Sequence, residues 1–176
     1  ESLRLLSAHI DTGESLPDSL LTPLLASRNF HSALANLRQL EFALFDMQLH
    51  HNPDMITTET IKKKLDTIRQ HIAIAKPPSY NRFQQSFSHI FAGGYAAGYY
   101  SYKWAEVLST DAFSAFLDAG IFDKTLGRRF LHTILGQGGA VDAMQLFIQF
   151  RGRKPSIAAL LADNGITYCL ENQPAT

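Results

Sequence analysis

Apolar residues recur at intervals of three and four along most of this chain, which is the spacing of one face of an α-helix. The longest run covers residues 30–49 and predicts a long helix. Shorter runs predict four more helices, near residues 61–72, 126–134, 143–150 and 156–161. No segment shows the alternation of apolar and polar residues that a half-buried strand needs. The pattern therefore predicts an all-α fold.

Capping and helix-breaking residues set the expected helix ends. Thr57 or Thr58 is placed to cap the second helix and Thr125 the third, because a hydroxyl oxygen accepts a hydrogen bond from a first-turn N–H. Pro23 has no N–H, so we expect residues 20–26 to form two short helical pieces or a helix that starts late. Glycines are expected to end the last three helices: Gly136, Gly152 and Gly165.

Composition and charge narrow the classes of partner. The 176 residues suit one domain and carry 16 basic and 16 acidic side chains, a net charge of zero. Residues 1–82 hold nine of each sign and residues 103–176 seven of each, so no segment has the basic excess of a nucleic-acid-binding protein. The single cysteine, Cys169, cannot form an internal disulfide and is consistent with a reducing cytoplasm. The chain begins at Glu1 without a Met or a signal peptide, which we take as a sign of a longer parent protein.

An uncharged, aromatic-rich segment interrupts the ordinary helical pattern. The 20 residues between Arg82 and Lys103 carry no charged side chain, and the window 80–104 holds nine of the 19 aromatic residues. That length would suit a membrane span, but glutamines, serines and three glycines make the segment too polar for a lipid-facing helix, and we predict no membrane contact. Gly93 and Gly94 are poor helix residues, so the segment is predicted to form a helix, a glycine-rich turn and a second helix.

Three tyrosines of this segment are candidates for chemistry. Tyr95, Tyr99 and Tyr102 are spaced by four and three residues, which would place their phenols on one helical face. A phenol is a neutral hydrogen-bond donor at pH 7 and can stabilise the negative charge that develops in acyl transfer. In the alternative, each hydroxyl only satisfies a buried carbonyl. Core packing is the preferred interpretation for Phe83 and Phe87.

The run FSHIFAGGYAAGYYSYKW, at residues 87–104, closely resembles the substrate-recognition segment of the thimet oligopeptidase family of zinc metallopeptidases. The similarity extends over nearly the whole chain and includes four further blocks: 37–42, 127–130, 138–139 and 150–155. It implies a helical C-terminal domain fragment over residues 1–166, with the recognition loop at about 87–104 and a flexible tail at 167–176.

The resemblance also implies roles for individual residues. Three resemble family residues that contact the substrate carbonyl and the oxyanion near the scissile bond, and we predict them to be catalytic: Tyr102, Tyr95 and His89. Three resemble a substrate-contacting tyrosine and a glycine loop that changes shape on binding: Tyr99, Gly93 and Gly94. The His-to-Tyr spacing of six matches a bacterial branch of the family, whereas the thimet branch has five.

The metal site of the family is not found in this sequence. These enzymes bind zinc with a His-Glu-x-x-His helix, whose Glu activates a water, and with a further Glu downstream. None of the seven histidines lies four residues from another, and the adjacent His50 and His51 would point in different directions on a helix. We therefore predict no metal ligand in this chain and zinc bound elsewhere in the parent enzyme.

The expected parent is a cytoplasmic zinc metalloendopeptidase that hydrolyses short peptides, of which this chain is the C-terminal, substrate-recognition portion. Its expected partners are short peptides and the missing N-terminal catalytic half, and the chain alone is predicted to be inactive. A non-enzymatic helical module that binds peptides or proteins through its aromatic face is the alternative. A fragment of a larger enzyme should also expose an apolar patch where the zinc-bearing half packed. The basic cluster 151–154 is a candidate for domain docking.

Overall fold

A computed structural model describes residues 2–51 and 56–166, and the regular structure within these residues is entirely helical. The predicted all-α fold is confirmed. Within the described ranges the α-helices follow in this order: α1 (Ser2–Leu6), α2 (Asp18–Ser27), α3 (Ser32–His51), α4 (Thr58–Ile72), α5 (Phe83–Ser86), α6 (Ser88–Phe91), α7 (Ser101–Ala119), α8 (Lys124–Phe130), α9 (Ala143–Arg151) and α10 (Ala158–Asp163). A π-helical turn, Leu131–Leu135, continues α8, and a 3₁₀ turn covers Gly138–Ala140. The predicted tail at 167–176, with Cys169, lies outside the described residues.

The helices with the clearest sequence signals are confirmed. Most of the run 30–49 lies in α3, and the second run forms α4. Thr57 caps α4 through a reciprocal pair with Thr60: the Thr60 N–H donates to Thr57 Oγ1 at 3.2 Å, and the Thr57 N–H donates to Thr60 Oγ1 at 2.8 Å. Helix α9 ends as predicted at Gly152, whose φ of 75° is favourable only for glycine.

Two predicted helix boundaries are wrong. Pro23 does not divide its segment, because α2 continues through it. The proline removes one N–H from the helix, and the carbonyl left without that donor belongs to Ser19, which is exposed to water. Thr125 does not cap the third predicted helix. Asp123 does so instead, since its carboxylate accepts the Leu126 N–H at 2.6 Å and its charge also favours a helix N-terminus.

Two hydrophobic clusters hold the helices together. The second of them joins α7, α8 and α9 through Ala115, Leu126 and Phe150. The first lies between α3 and α4 and continues into the aromatic segment, and its buried members are Ala43, Phe45, Leu49, Leu65, Ile68, Phe87, Ile90 and Tyr99. Helix α3 therefore forms the base on which the aromatic segment packs.

Polar contacts fasten the C-terminal helices to the start of α3. The Ser32 hydroxyl donates to the main-chain oxygen of Asn164 at 2.6 Å, and the Asn36 side-chain amide donates to Asn164 Oδ1 at 2.7 Å. Within the described ranges, no helix is both long and apolar enough to cross a lipid bilayer.

Candidate functional site

The aromatic segment 83–102 folds as short helices and turns. Helices α5 and α6 are separated by Phe87, whose φ of −85° and ψ of 66° are not helical. Turns follow α6, and the chain becomes helical again at Ser101, the first residue of α7. The predicted order of helix, glycine-rich turn and helix is thus confirmed. Tyr95 and Tyr99 precede α7, however, so the prediction that three tyrosines share one helical face is wrong.

The turn nevertheless brings the tyrosine rings together. The ring centroids of Tyr95 and Tyr102 are 5.1 Å apart with an interplanar angle of 28°, and those of Tyr99 and Tyr102 are 5.2 Å apart at 64°. The imidazole of His89 lies 6.3 Å from the Tyr95 ring and 6.2 Å from the Tyr99 ring. Four of the predicted site residues therefore form one group, the tyrosine cluster: His89, Tyr95, Tyr99 and Tyr102.

The phenols of the cluster differ in their exposure to solvent. Tyr99 is only 9% exposed and its hydroxyl donates to Gln39 Oε1 on α3 at 2.9 Å, whereas Tyr102 is 41% exposed. Burial raises the pKa of Tyr99, against a smaller opposing effect of the Arg38 charge. A hydrogen bond with Tyr95 is the main cause of the raised pKa of Tyr102, followed by desolvation. Both phenols therefore stay protonated at pH 7 and can act as neutral donors.

Gly93 and Gly94 shape the turn that leads into the cluster. A Cβ at Gly93 would lie 2.9 Å from both the Cα and the carbonyl oxygen of His89, closer than real side chains come. Gly94 has a φ of 79°, in the left-handed region that glycine adopts without strain. The Tyr95 N–H then donates to the His89 carbonyl oxygen at 3.1 Å. The backbone conformation thus explains by itself why both positions hold glycine. The turn that these glycines allow places Tyr95 beside His89.

A buried carboxylate beneath the turn ties it to α3. Asp46 is 1% exposed, and its two carboxylate oxygens accept the main-chain N–H groups of Ala97 and Tyr99, each at 2.9 Å. His50 Nδ1 lies 2.8 Å from the same carboxylate. Asp46 is not among the site residues predicted from the sequence. The available signal was a charged residue directly after Phe45, at the apolar face of a long helix.

A second buried carboxylate supports the aromatic packing. Glu41 is 2% exposed, and its Oε1 lies 2.6 Å from Arg38 Nη1 and 2.8 Å from Arg69 Nε. The Arg38 guanidinium in turn lies 5.0 Å from the centroid of the Phe83 ring, a cation–π distance. The Phe83 and Phe87 rings are 4.9 Å apart within the first hydrophobic cluster, so the core packing predicted for both is confirmed.

The basic cluster 151–154 is largely engaged within the chain. Asp111 of α7 is fully buried and accepts hydrogen bonds from Arg153 Nη1 at 2.7 Å, from Arg151 Nε at 3.2 Å and from the Ser156 N–H at 2.7 Å. Burial would raise the pKa of Asp111, but the hydrogen bonds from Arg153 and Ser156 and the charges of both arginines hold it below its ordinary value. The cluster thus joins α7, α9 and the segment before α10.

The described residues offer no ligand set for zinc. No group of three or more His, Cys, Asp or Glu side chains within residues 2–51 and 56–166 is arranged to hold a metal ion. His50 does pair with Asp46, but the oxygens of that carboxylate already accept main-chain N–H groups.

Comparison with known proteins shows what this chain is similar to. The sequence model of peptidase family M3 matches residues 1–166. Oligopeptidase A of Haemophilus influenzae is 51% identical over 166 residues, and oligopeptidase A of Escherichia coli is 50% identical over 168 residues. Each of these matches covers 94% of this chain and 24% of the relative. Saccharolysin of Saccharomyces cerevisiae is 35% identical over 162 residues, which are 92% of this chain and 23% of the relative. The chain thus spans about a quarter of the length of these relatives.

Proposed function

This chain belongs to peptidase family M3, and we propose that it is the C-terminal, substrate-recognition portion of a zinc metalloendopeptidase that hydrolyses short peptides. The resemblance noted from the sequence is confirmed at the level of the family by the oligopeptidase A relatives. The tyrosine cluster is the observation that carries the proposal. It gathers neutral donors in one place, next to a histidine, as the binding of a developing oxyanion requires.

Three roles are proposed within the tyrosine cluster and a fourth for the two glycines beside it. Tyr102 and Tyr95 donate hydrogen bonds to the substrate carbonyl and, in the transition state, to the oxyanion. His89, on the exposed side of α6, approaches the peptide near the scissile bond. Tyr99 has its hydroxyl on Gln39 and its ring nearly buried, so its proposed contact with the substrate is through a ring edge. Gly93 and Gly94 form the loop that changes shape on binding.

The zinc of the proposed enzyme would be bound by parts of the longer polypeptide that lie outside this chain, because the described residues contain no ligand set. Zinc in such enzymes polarises the carbonyl and activates a water. The rest of that polypeptide is therefore the proposed partner, together with short peptides. A cytoplasmic location is proposed as well. One Arabidopsis thaliana relative is named a probable cytosolic oligopeptidase A, and another is named an organellar one.

Replacing Tyr102 tests the oxyanion role in the full-length polypeptide. We expect Tyr102→Phe to lower kcat about 100- to 1000-fold, because that is the usual effect of removing one oxyanion donor. KM should change by less than about threefold, since the lost hydrogen bond strengthens only in the transition state. Tyr100→Phe is the matched control, because Tyr100 is also half-exposed but stands outside the cluster. An unchanged kcat in Tyr102→Phe would sink the oxyanion role.

The alternative, a non-enzymatic binding module, draws support from the exposed aromatic side chains around the cluster. Phe91, Tyr100 and Trp104 are each about half-exposed and could contact a peptide or protein without catalysis. A His-Glu-x-x-His sequence in the longer polypeptide, upstream of Glu1, would decide for the enzyme. Its absence there would decide for the binding module.

A further inference from the structure

Main-chain hydrogen bonds hold the part of the turn around Tyr95: the Tyr95 N–H donates to the His89 carbonyl oxygen at 3.1 Å, and the Gly98 N–H donates to the Tyr95 carbonyl oxygen at 2.9 Å. Residues 92–100 include three glycines, and Ala97 adopts a φ of 53°, which is unfavourable for a residue with a Cβ. Tyr102 belongs to α7 and is fixed by the packing of that helix, whereas Tyr95 belongs to the turn. The position of one phenol relative to the other therefore depends in part on the backbone around Ala97, which connects Tyr95 to α7.

Asp46 supplies a restraint at this point of the backbone. Oδ1 accepts the Ala97 N–H and Oδ2 accepts the Tyr99 N–H, so the two oxygens bracket the turn from α3. The carboxylate is 1% exposed, and water therefore does not compete for these donors. His50, one helical turn further along α3, has its Nδ1 2.8 Å from Oδ1 and 3.0 Å from the main-chain oxygen of Asp46.

We propose that Asp46 is a positioning residue for Tyr95: it fixes the turn at Ala97 and Tyr99, so that the phenol of Tyr95 stays beside that of Tyr102. Asp46 itself touches no substrate and acts only through the tyrosine. The proposal rests on the proposed function of the tyrosine cluster, and it adds a residue that lies on a different helix from every predicted site residue.

The carboxylate cannot be replaced by the amide of the same size. Both oxygens of Asp46 accept from N–H groups, whereas an asparagine has one acceptor oxygen and one NH₂ group. In Asp46→Asn one of the two N–H groups, at Ala97 or at Tyr99, would face another donor. The substitution should therefore release one side of the turn while the size of the buried side chain is kept.

A double-mutant cycle in the full-length polypeptide tests this proposal. We expect Asp46→Asn to lower kcat by about tenfold or more per folded molecule, with KM within about threefold. In a Tyr95→Phe background the same substitution should lower kcat by less than about threefold, because the hydroxyl that Asp46 positions is already absent. A merely structural role would give the same factor in both backgrounds, and that result would overturn the proposal.

Asp111→Asn is the matched control. Asp111 is equally buried and also accepts a main-chain N–H, from Ser156 at 2.7 Å, but it has no contact with the cluster. Its kcat per folded molecule should stay within about twofold of the wild type in both backgrounds, as expected for sites that act independently. If Asp111→Asn lowered kcat as much as Asp46→Asn does, general destabilisation would explain both losses.

Two further outcomes separate this proposal from the proposed function. If Tyr95→Phe leaves kcat unchanged, the oxyanion role of Tyr95 is wrong. If Tyr95→Phe lowers kcat, and Asp46→Asn lowers it by the same factor in that background as in the wild type, only the positioning role is wrong. If Asp46→Asn does not fold, hydrogen exchange of the unmutated protein decides. The amides of Ala97 and Tyr99 should exchange at least about 100-fold more slowly than in an unfolded chain. Rapid exchange at both would overturn the proposal.

Discussion

Gly93 determines how closely the turn approaches α6, because its α-carbon faces the backbone of His89. A methyl group there would meet the His89 Cα and carbonyl oxygen at 2.9 Å, and neither atom can rotate away as a side chain would. Gly98, in the same turn, has different surroundings. A Cβ at Gly98 would find its nearest atom, the Tyr95 carbonyl oxygen, at 3.5 Å, an ordinary contact distance. The surroundings of Gly93 thus require glycine, whereas those of Gly98 leave room for a Cβ.

This difference predicts opposite effects of the same substitution. Gly93→Ala should lower the free energy of unfolding by about 1–3 kcal/mol, because backbone atoms must move to admit the methyl group. Gly98→Ala should leave it within about 0.5 kcal/mol or raise it slightly, because alanine reduces the entropy of the unfolded chain. Urea unfolding followed by circular dichroism measures both. Equal losses in the two variants would show that helix and turn propensity, rather than contact with His89, sets the requirement.

At the scale of helices and turns, the apolar spacing was sufficient to predict α3 and α4, but it predicted neither the extent of α7 to Ala119 nor the continuity of α2 through Pro23. The period of α3 and α4 and the cap at Thr57 were predictable because these signals are local. The shape of the aromatic segment was not, since rings spaced by four residues suit both a continuous helix and a turn that folds the rings together. The turn is stabilised by the contact of Asp46 with Ala97, which lies 51 residues away in sequence. No local sequence pattern could predict that contact.

Asp111 ties α7 to α9 and to the segment before α10, and this link should be sensitive to acid. Its folded-state pKa lies below the ordinary value near 3.8, so its ion pairs add stability above that value and lose it as the pH falls through the folded pKa. We expect Asp111→Asn to cost about 3 kcal/mol of unfolding free energy at pH 7, because Arg151 and Arg153 lose their buried partner. The difference from wild type should shrink below about pH 4.

Urea unfolding of wild type and variant between pH 7 and pH 3 measures this link, because that range includes the ordinary aspartate pKa of 3.8. Asp118→Asn is the control, because Asp118 lies on the same helix and is exposed. Its effect should stay within about 0.5 kcal/mol at every pH, as for most surface substitutions. A loss in Asp111→Asn that does not change with pH would mean that shape, rather than charge, makes Asp111 important.

At the scale of the whole molecule, the described residues expose more large apolar side chains than the two hydrophobic clusters bury. Several of them lie on α7, on the turn after it and on the π-helical turn that continues α8: Phe113, Leu117, Phe122, Leu131 and Leu135. Apolar side chains that are exposed together on one surface commonly mark a contact with another chain or domain. This surface agrees with the expectation that the rest of a longer peptidase packs against the chain, and we propose the exposed face of α7 as part of that contact.

The isolated 176-residue chain should accordingly lack both zinc and peptidase activity. The proposed oxyanion donors are present in it, but no group of its described residues can hold the metal that activates the attacking water. Elemental analysis after dialysis should find less than about 0.1 zinc per chain, and peptide hydrolysis should stay at the uncatalysed rate, since structural and catalytic zinc sites need three or four protein ligands. The full-length polypeptide, purified in the same way, is the control that should retain zinc and activity. One zinc per isolated chain, or hydrolysis that rises in proportion to chain concentration and disappears with a chelator, would place the metal site within these residues.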